Sequence, residues 1–460
     1  MHQRPAGAFC IVAFRRVQGP RMSQAEEPSR SEQFYWREVE LHGRHNVRAH
    51  LLQGGLGIFG MSFFAPETAL AAYMTTMTSS KFLIGLPAAI TGFAWSFTML
   101  FYCYVIQRKK QRKQVALRVG SLVRFAFVAI AASAWAASFW GFGPAMSVFF
   151  AALVLLSFTA GGSAMAWQDF IGRTLPHARR GFFFGLREAT AGLAGFGGAL
   201  LLSLYLRGRG KAPGDYAWPF TTGALFYFAS WYLLSRVREP VWPGDPVPEG
   251  TWRQYYRETF RILRDNLNFR TYVLVRCLLA VTAIFNFALF ASYAIKEFGI
   301  AEALVAGVFG AVSLLGRAVA GPVAGRIADR TGFKLPLVAG VAIMVATLAI
   351  GLALKPMGSY ALVGFLCIYF LAGVVGTVIW VANFNLQLEF SAVSDRPRYI
   401  ALASTISAPV YLVASAASGY LVDRFHYRPV MFAALLVALA VLALVSLLFE
   451  EPRKARPQSV

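Results

Sequence analysis

The sequence predicts an all-α integral membrane protein whose twelve transmembrane helices form two six-helix bundles. Three observations lead there. Only 14% of the 460 residues are charged while 57% are hydrophobic, well below the roughly 25% charged typical of soluble domains. Stretches of about 20 apolar residues, each long enough to cross a hydrocarbon core about 30 Å thick, recur along the chain. The basic residues, which give a net charge of +22, cluster in the loops of one side.

The expected spans are 51–73, 81–106, 119–139, 145–168, 182–206, 219–235, 271–295, 302–324, 335–354, 360–384, 400–421 and 430–449. With the N-terminus inside, the segments 1–50, 107–118, 169–181, 236–270, 325–334, 385–399 and 450–460 carry 32 Lys and Arg, against about 8 in the opposite loops. Such a bias sets membrane orientation. It places both termini of a multi-pass membrane protein in the cytoplasm. The charge is thereby accounted for, and no nucleic-acid partner is expected, although basic chains bind phosphate backbones.

Residues 1–50 read as a cytoplasmic N-terminal segment. Its apolar run Ala6–Phe14 is followed by Arg15 and Arg16, not by a small-residue cleavage site, which argues against a signal peptide, and Met22 offers a second start. Cys10, Cys103, Cys277 and Cys367 are far apart, without paired or metal-ligand spacing.

The chain repeats itself. Span one begins near 51 and span seven near 271; loop 107–114 faces 325–332, and "ARRGFFFGL" (178–186) faces "RPRYIALAS" (396–404), both at an offset of 218. Six spans return the chain to the same side, so the repeats are parallel, a transporter pattern. The halves are 51–235 and 271–449, with 450–460 as a cytoplasmic tail. Between them, 236–270 opens with a Pro/Gly linker. It continues from Trp252 to Leu267 with apolar residues at three-to-four spacing and Arg opposite, an amphipathic helix on the cytoplasmic membrane surface.

The densest charge cluster, "GRIADRTGFK" (325–334), separates spans eight and nine. Gly325 allows two helix ends to approach, and Gly332 permits a left-handed turn. Asp329 is placed to meet the positive end of a helix dipole, worth roughly 0.3–1 kcal/mol. Arg326, Arg330 and Lys334 hold the loop inside.

Twelve spans, the 6+6 repeat, the long link and this loop resemble the major facilitator superfamily. Its signature loop reads Gly-x-x-x-Asp-Arg-x-Gly followed by two basic residues. Gly325, Asp329, Arg330, Gly332 and Lys334 match, and Phe333 departs. "FFAPETALAAY" and "DFIGRTLPHARRGFFFGLRE" are similar to an uncharacterised bacterial permease subgroup. The resemblance covers about 50–450 and implies secondary transport by alternating access, with the loop as a latch when the cytoplasmic side is closed. The first half, "QRKKQRKQ" (107–114), has Gln107 and Gln111 where the Gly and Asp would stand.

Ionisable residues within spans are costly and call for a partner or a function. Glu188 lies seven residues in from Gly181, and Arg317 eight residues back from Gly325; at 1.5 Å per residue these depths are about 10 and about 12 Å. Since the resemblance places spans five and eight side by side, Glu188 and Arg317 are expected to pair as a cytoplasmic gate. Arg187 is an alternative counter-ion, and Asp329 is expected to meet the start of span five near Gly181. A purely structural ion pair is the plainer alternative.

Glu67 follows Pro66, which weakens the helix. It could bind a cation, carry a coupling proton, or face water near the outer surface. The remaining candidates for a solute site are Gln53, Asn286 and Asn383, with Asn385, Trp167 and Gln168 nearby. A few polar groups in an aromatic lining lean toward a small amphiphilic solute. All six His are expected in loops or the N-terminal segment. "GLAGFGG" (192–198) reads as tight packing. No Gly-x-x-x-x-Gly-Lys-Ser/Thr phosphate loop and no His/Glu metal motif occurs, so neither an enzyme nor a cofactor is expected. The partners are a solute and membrane lipids, and a monomer is expected. A lipid or amphiphile flippase and a non-transporting receptor or assembly factor are the alternatives.

Overall fold

The computed structural model describes residues 29–176, 180–243, 251–282, 287–300 and 308–455. Its long elements are helices: α1 (Arg30–Ser62), α2 (Ala71–Thr75), α3 (Lys81–Gln107), α4 (Arg112–Trp140), α5 (Phe142–Thr174), α6 (Arg180–Leu206), α7 (Ala217–Ser235), α8 (Trp252–Asp265), α9 (Leu267–Thr282), α10 (Phe287–Phe298), α11 (Gly310–Thr331), α12 (Lys334–Ala353), α13 (Ala361–Glu389), α14 (Arg396–Phe425), α15 (Tyr427–Leu447) and the short α16 (Pro452–Ala455). A described helix covers part of every expected span. Seven of them, α4, α5, α6, α12, α13, α14 and α15, are long and apolar enough by length and composition to cross a membrane.

The first helix differs from its expected start. α1 begins at Arg30, where Ser29 and Glu32 form a reciprocal capping box, and it runs without a break through residue 51. The boundary at 50/51 therefore falls inside a helix. The early turns are polar on average yet bury Tyr35 and Val39, and Tyr35 donates to the Arg173 carbonyl at 2.8 Å. Span one is then interrupted: the helix ends at Ser62, Pro66–Leu70 forms a π-helical turn, and α2 follows. Proline, lacking an N–H, explains the break.

One apolar cluster, including Phe63, Tyr73, Phe127, Phe149 and Phe220, joins helices up to α7. Another, including Phe290, Tyr293, Phe309, Phe365 and Met431, joins helices from α10 onward. Two further clusters mix the sets: Phe183 and Phe184 with Tyr272, Leu386 and Leu402, and Met99 and Met165 with Tyr255, Leu388 and Ile400. The sets therefore meet around α5, α6, α8, α13 and α14, at the end carrying the basic loops.

Two arginines expose the internal repeat. Arg180 donates to the carbonyl of Gly172, and Arg396 donates to that of Leu388. Each reaches back eight residues across a turn, onto the last carbonyls of the preceding helix, which lack helical partners. The offset there is 216 residues, not 218. A second pair is equivalent in role. Glu239, after α7, accepts from the backbone N–H of Arg112 and Lys113 at 3.0 and 2.8 Å; Glu451, after α15, accepts from that of Lys334 at 2.6 Å. Each carboxylate caps the helix of the third expected span of its own half, and each is followed by Pro.

The closest contact between sets is α6 against α11. A Cβ on Gly185 would lie 1.9 Å from the Gly321 carbonyl oxygen, and one on Gly325 would lie 2.3 Å from that of Gly181. Such clearance admits only glycine on both sides. Gly321→Val should lower stability by about 1–3 kcal/mol, the usual cost of overpacking. Gly376→Ala, at a glycine with open space around it, should be neutral. Thermal unfolding in detergent measures both, and equal effects would refute the apposition.

Candidate functional site

Gly181, Gly185, Glu188 and Gly192 share one stripe of α6, at three-to-four spacing. With the backbones this close, the side chain at 188 projects onto α11. Arg317 Nη2 lies 3.4 Å from Glu188 Oε2, and Arg187 Nη1 lies 3.6 Å from Glu188 Oε1. One carboxylate is thus shared by two guanidinium groups. Arg187 and Glu188 are 9% exposed; Arg317 is 42% exposed.

The exposure of Arg317 is inward. On α11, Gly321 and Gly325 face α6, while Gly316 meets the Phe370 backbone and Ala320 packs with Val378 of α13. Arg317 sits between these two faces, about 160° round the helix from Leu315 and Val319, which are exposed on the outer side. Its side chain therefore opens on space between the two sets.

Arg187 is held by aromatic faces: its guanidinium carbon is 4.6 Å from the Trp167 ring centre and 6.0 Å from that of Trp380. Such contacts stabilise a desolvated cation. Nearer the basic end, the Phe184 ring lies 4.5 Å from that of Phe384 at a tilt of 48°, and Phe384 also meets Trp167 at 5.6 Å and Trp380 at 5.0 Å. Beside them Gln168 donates to Gln387 Oε1 at 2.9 Å and to the Phe384 carbonyl at 3.2 Å. Charge, aromatic rings and amides thus follow one another along the contact between the two sets.

At the edge, Asp329 accepts from the Gly181 and Phe182 N–H groups at 2.7 and 2.9 Å. It binds the start of α6, where free N–H groups and the dipole favour an anion. Gly332 has φ of +86° and its N–H caps α11 through the Ala328 carbonyl. Arg330 is exposed. Arg453 ties the loop to α13, pairing with Glu389 at 2.6 Å and donating to the Ala328 and Asp329 carbonyls. On the other side of the passage Gln107 takes the place of the missing latch, donating to Asp395 at 3.1 Å and accepting from Tyr255 of α8. Below it Asp169 is fully buried, 2.6 Å from Arg112 and 3.4 Å from Arg173.

The expected solute residues do not converge. Gln53 turns into the first set and donates to Ser230 at 3.3 Å, away from the passage. Asn383 is partly buried beside Phe384, with Oδ1 unpaired and its carbonyl accepting from Tyr272. The Glu67 side chain and the whole of Asn286 lie outside the described residues. His50 was expected outside the spans, yet it is fully buried in α1, with Nε2 3.1 Å from Thr174 Oγ1 and its ring against Phe170 and Phe183.

The sequence pattern of the Major Facilitator Superfamily matches residues 52–376 and 277–460. The chain belongs to the Major Facilitator Superfamily. No curated protein matches it in sequence. Among solved structures its fold is similar to a bacterial homologue of the iron transporter ferroportin in an outward-facing state (TM-score 0.68, 15% identity, covering 87% of this chain and 98% of that one). It is likewise similar to the E. coli fucose:proton symporter FucP (0.69, 12%, 90% and 98%) and to the human organic anion transporter MFSD10 (0.69, 11%, 87% and 99%). At these identities the likeness establishes the superfamily fold, and the protein is a multi-pass membrane protein.

The superfamily's signature loop thus lies against the start of α6. Glu239, which no local pattern marks, holds the α4 start on the same face. Burial pushes its carboxyl up to about 7, against the opposing pull of the two backbone N–H groups. A folded value above the ordinary 4.5 means that the folded chain binds the extra proton. The stabilisation is complete below about pH 4.5 and is lost as pH rises through about 7. Wild type should therefore lose melting temperature between about pH 5 and about pH 8, and Glu239→Gln should flatten that slope. Superimposable profiles would refute the assignment.

Proposed function

We propose that the protein is a secondary transporter that moves a small amphiphilic solute across the bacterial cytoplasmic membrane by alternating access, coupled to protons. Its halves, 51–235 and 271–449, rock about a shared pocket and are joined by the linker 236–270. Both termini are cytoplasmic, and the protein acts as a monomer without a cofactor. The observation that carries the reading is the layered closure between helices of the two halves, from Glu188–Arg317 through the aromatic rings to Asp329 on α6. Contacts that hold one face shut and can be exchanged for others are what a rocking mechanism requires.

The likeness to structures solved in outward-facing states supports taking the closed face as cytoplasmic and this conformation as outward-facing. The solutes named for the similar structures are iron, fucose and organic anions, so the fold does not transfer one. Glu67, in the broken first span, is the proposed proton carrier. A flippase is the second reading, supported by two apolar hollows of about 420 and about 310 Å³ that share Val281 and are lined by Pro409, Val413, Phe425 and Val437. They lie between α9, α14 and α15.

Charge reversal tests the gate. In proteoliposomes, Glu188→Arg and Arg317→Glu should each abolish gradient-driven uptake, and the double reversal should recover a substantial part. A double variant as inactive as the singles would eliminate the pair as a gate. Glu67→Gln should remove the pH dependence of uptake; an unchanged pH profile would rule out proton carriage there.

A further inference from the structure

We infer that the Arg187–Glu188–Arg317 triad is the head-group site for an organic anion, which opens the gate by displacing Glu188 from Arg317. The inference rests on the transport reading above and names the solute class.

The triad is unbalanced. Two guanidinium groups lie within 3.6 Å of one carboxylate, leaving an excess positive charge between the halves. Glu188 spreads its two oxygens over both cations, Oε1 toward Arg187 and Oε2 toward Arg317, and both separations exceed the 2.7–2.9 Å of a strong charge-assisted hydrogen bond. Arg187 Nε is buried without a hydrogen-bond partner, as is Trp167 Nε1 beside it. By contrast the Arg112–Asp169 and Arg453–Glu389 pairs each close to 2.6 Å. The guanidinium groups of the triad are underused, and Arg317 faces the interior space.

The surroundings fix the rest of the ligand. Trp167, Trp380 and Phe384 are each only partly buried and stand next to Arg187, offering flat apolar walls. A carboxylate or sulfonate on an aromatic or short apolar body satisfies both features. A cation would meet two guanidinium groups. A neutral polar solute would leave the excess charge uncompensated.

Displacement gives coupling. A ligand shifts a conformational equilibrium only through its different affinity for the two states. An incoming anion competes with Glu188 for the same donors. By freeing Glu188 from Arg317 it removes the deepest cross-link between α6 and α11 while satisfying the cations.

The test is equilibrium binding to the purified full-length protein in nanodiscs. The probes are 4-phenylbutyrate, 4-phenylbutanamide and 4-phenylbutylammonium, which share one skeleton and differ in charge, with naphthalene-2-sulfonate as a second anion. The anions should bind saturably and at least about tenfold more tightly than the amide or the ammonium, tenfold corresponding to about 1.4 kcal/mol. Arg317→Gln should weaken anion binding about tenfold, and Arg317→Lys should keep most of it. Glu188→Gln should tighten it several-fold, because the competing carboxylate is gone. A merely structural triad predicts the opposite, since loss of Glu188 would then disorder the site. The proposal is overturned if the amide or ammonium binds as well as the anions, if no anion binds, or if Glu188→Gln loses binding. In each case gradient-driven uptake of a neutral or cationic solute would leave the transport reading standing, whereas its failure for every solute would not.

Discussion

The conformation depends on backbone touching backbone where α6 crosses α11. Lipid tails are as apolar as the helices they surround, so helices in a bilayer gain little by hiding Leu and Val from lipid. They gain by close packing, which small residues permit. Gly181 and Gly185 on α6 meet Gly325 and Gly321 on α11, with no room for a Cβ on either side. Once the helices are that near, the next side chains along the same stripe, Glu188 and Arg317, are brought within reach of each other at about 10–12 Å depth. At the shallow end the same approach places Asp329 on the α6 N–H groups. The latch and the ion pair are thus two consequences of one glycine seam.

The opposite crossing, α3 against α14, is built differently. Its links are side-chain hydrogen bonds: Thr405 to the Ser96 carbonyl, Gln107 to Asp395, and Tyr255 to Gln107. The amphipathic α8 lies across this seam. Tyr256 bonds to the Leu100 carbonyl of α3, while Glu258 is 3.3 Å from Arg398 of α14, whose guanidinium stacks on Tyr255. Where the loop acid is absent, the linker supplies the cross-tie. Hydrogen bonds through flexible side chains tolerate sliding better than a glycine seam does, so the two crossings are mechanically unequal. The repeat persists within each half in Glu239 and Glu451, whereas Arg396, the counterpart of Arg180, also donates across to the Gly172 carbonyl of the first half at 3.2 Å.

Much of this was legible in the sequence, for reasons that also mark where legibility ends. Spans follow from apolar length, and the depth of Glu188 and Arg317 follows from counting residues at 1.5 Å each. The left-handed Gly332 follows from the turn it must make. Direction around a helix is harder. Gln53 is a polar residue of span one, yet its side chain turns toward Ser230 on α7, because rotation is set by packing partners distant in sequence. The polar start of α1 carries no span signal, so His50 reads as part of the N-terminal segment, yet the continuous helix buries it. Glu239 and Glu451 lie 126 and 117 residues from the amides they cap, and no periodicity connects residues so far apart.

The energetics of the triad bear on why it is there. Taking charges out of water costs several kcal/mol per ion, and an apolar replacement of similar volume is often neutral or stabilising. A seam already fixed by four glycines does not need an ion pair to hold it. The arrangement is also loose as a structural pair: its separations are 3.6 and 3.4 Å, and Arg317 is 42% exposed. Asp169 also has two guanidinium neighbours, but it is fully buried and lies 2.6 Å from Arg112, as a structural group should. A loosely paired charge cluster with a partly exposed member, lying between the two sets, suits exchange of partners better than permanent support. That contrast between two buried carboxylates of one chain is the physical ground for assigning Glu188 to the working gate and Asp169 to the frame.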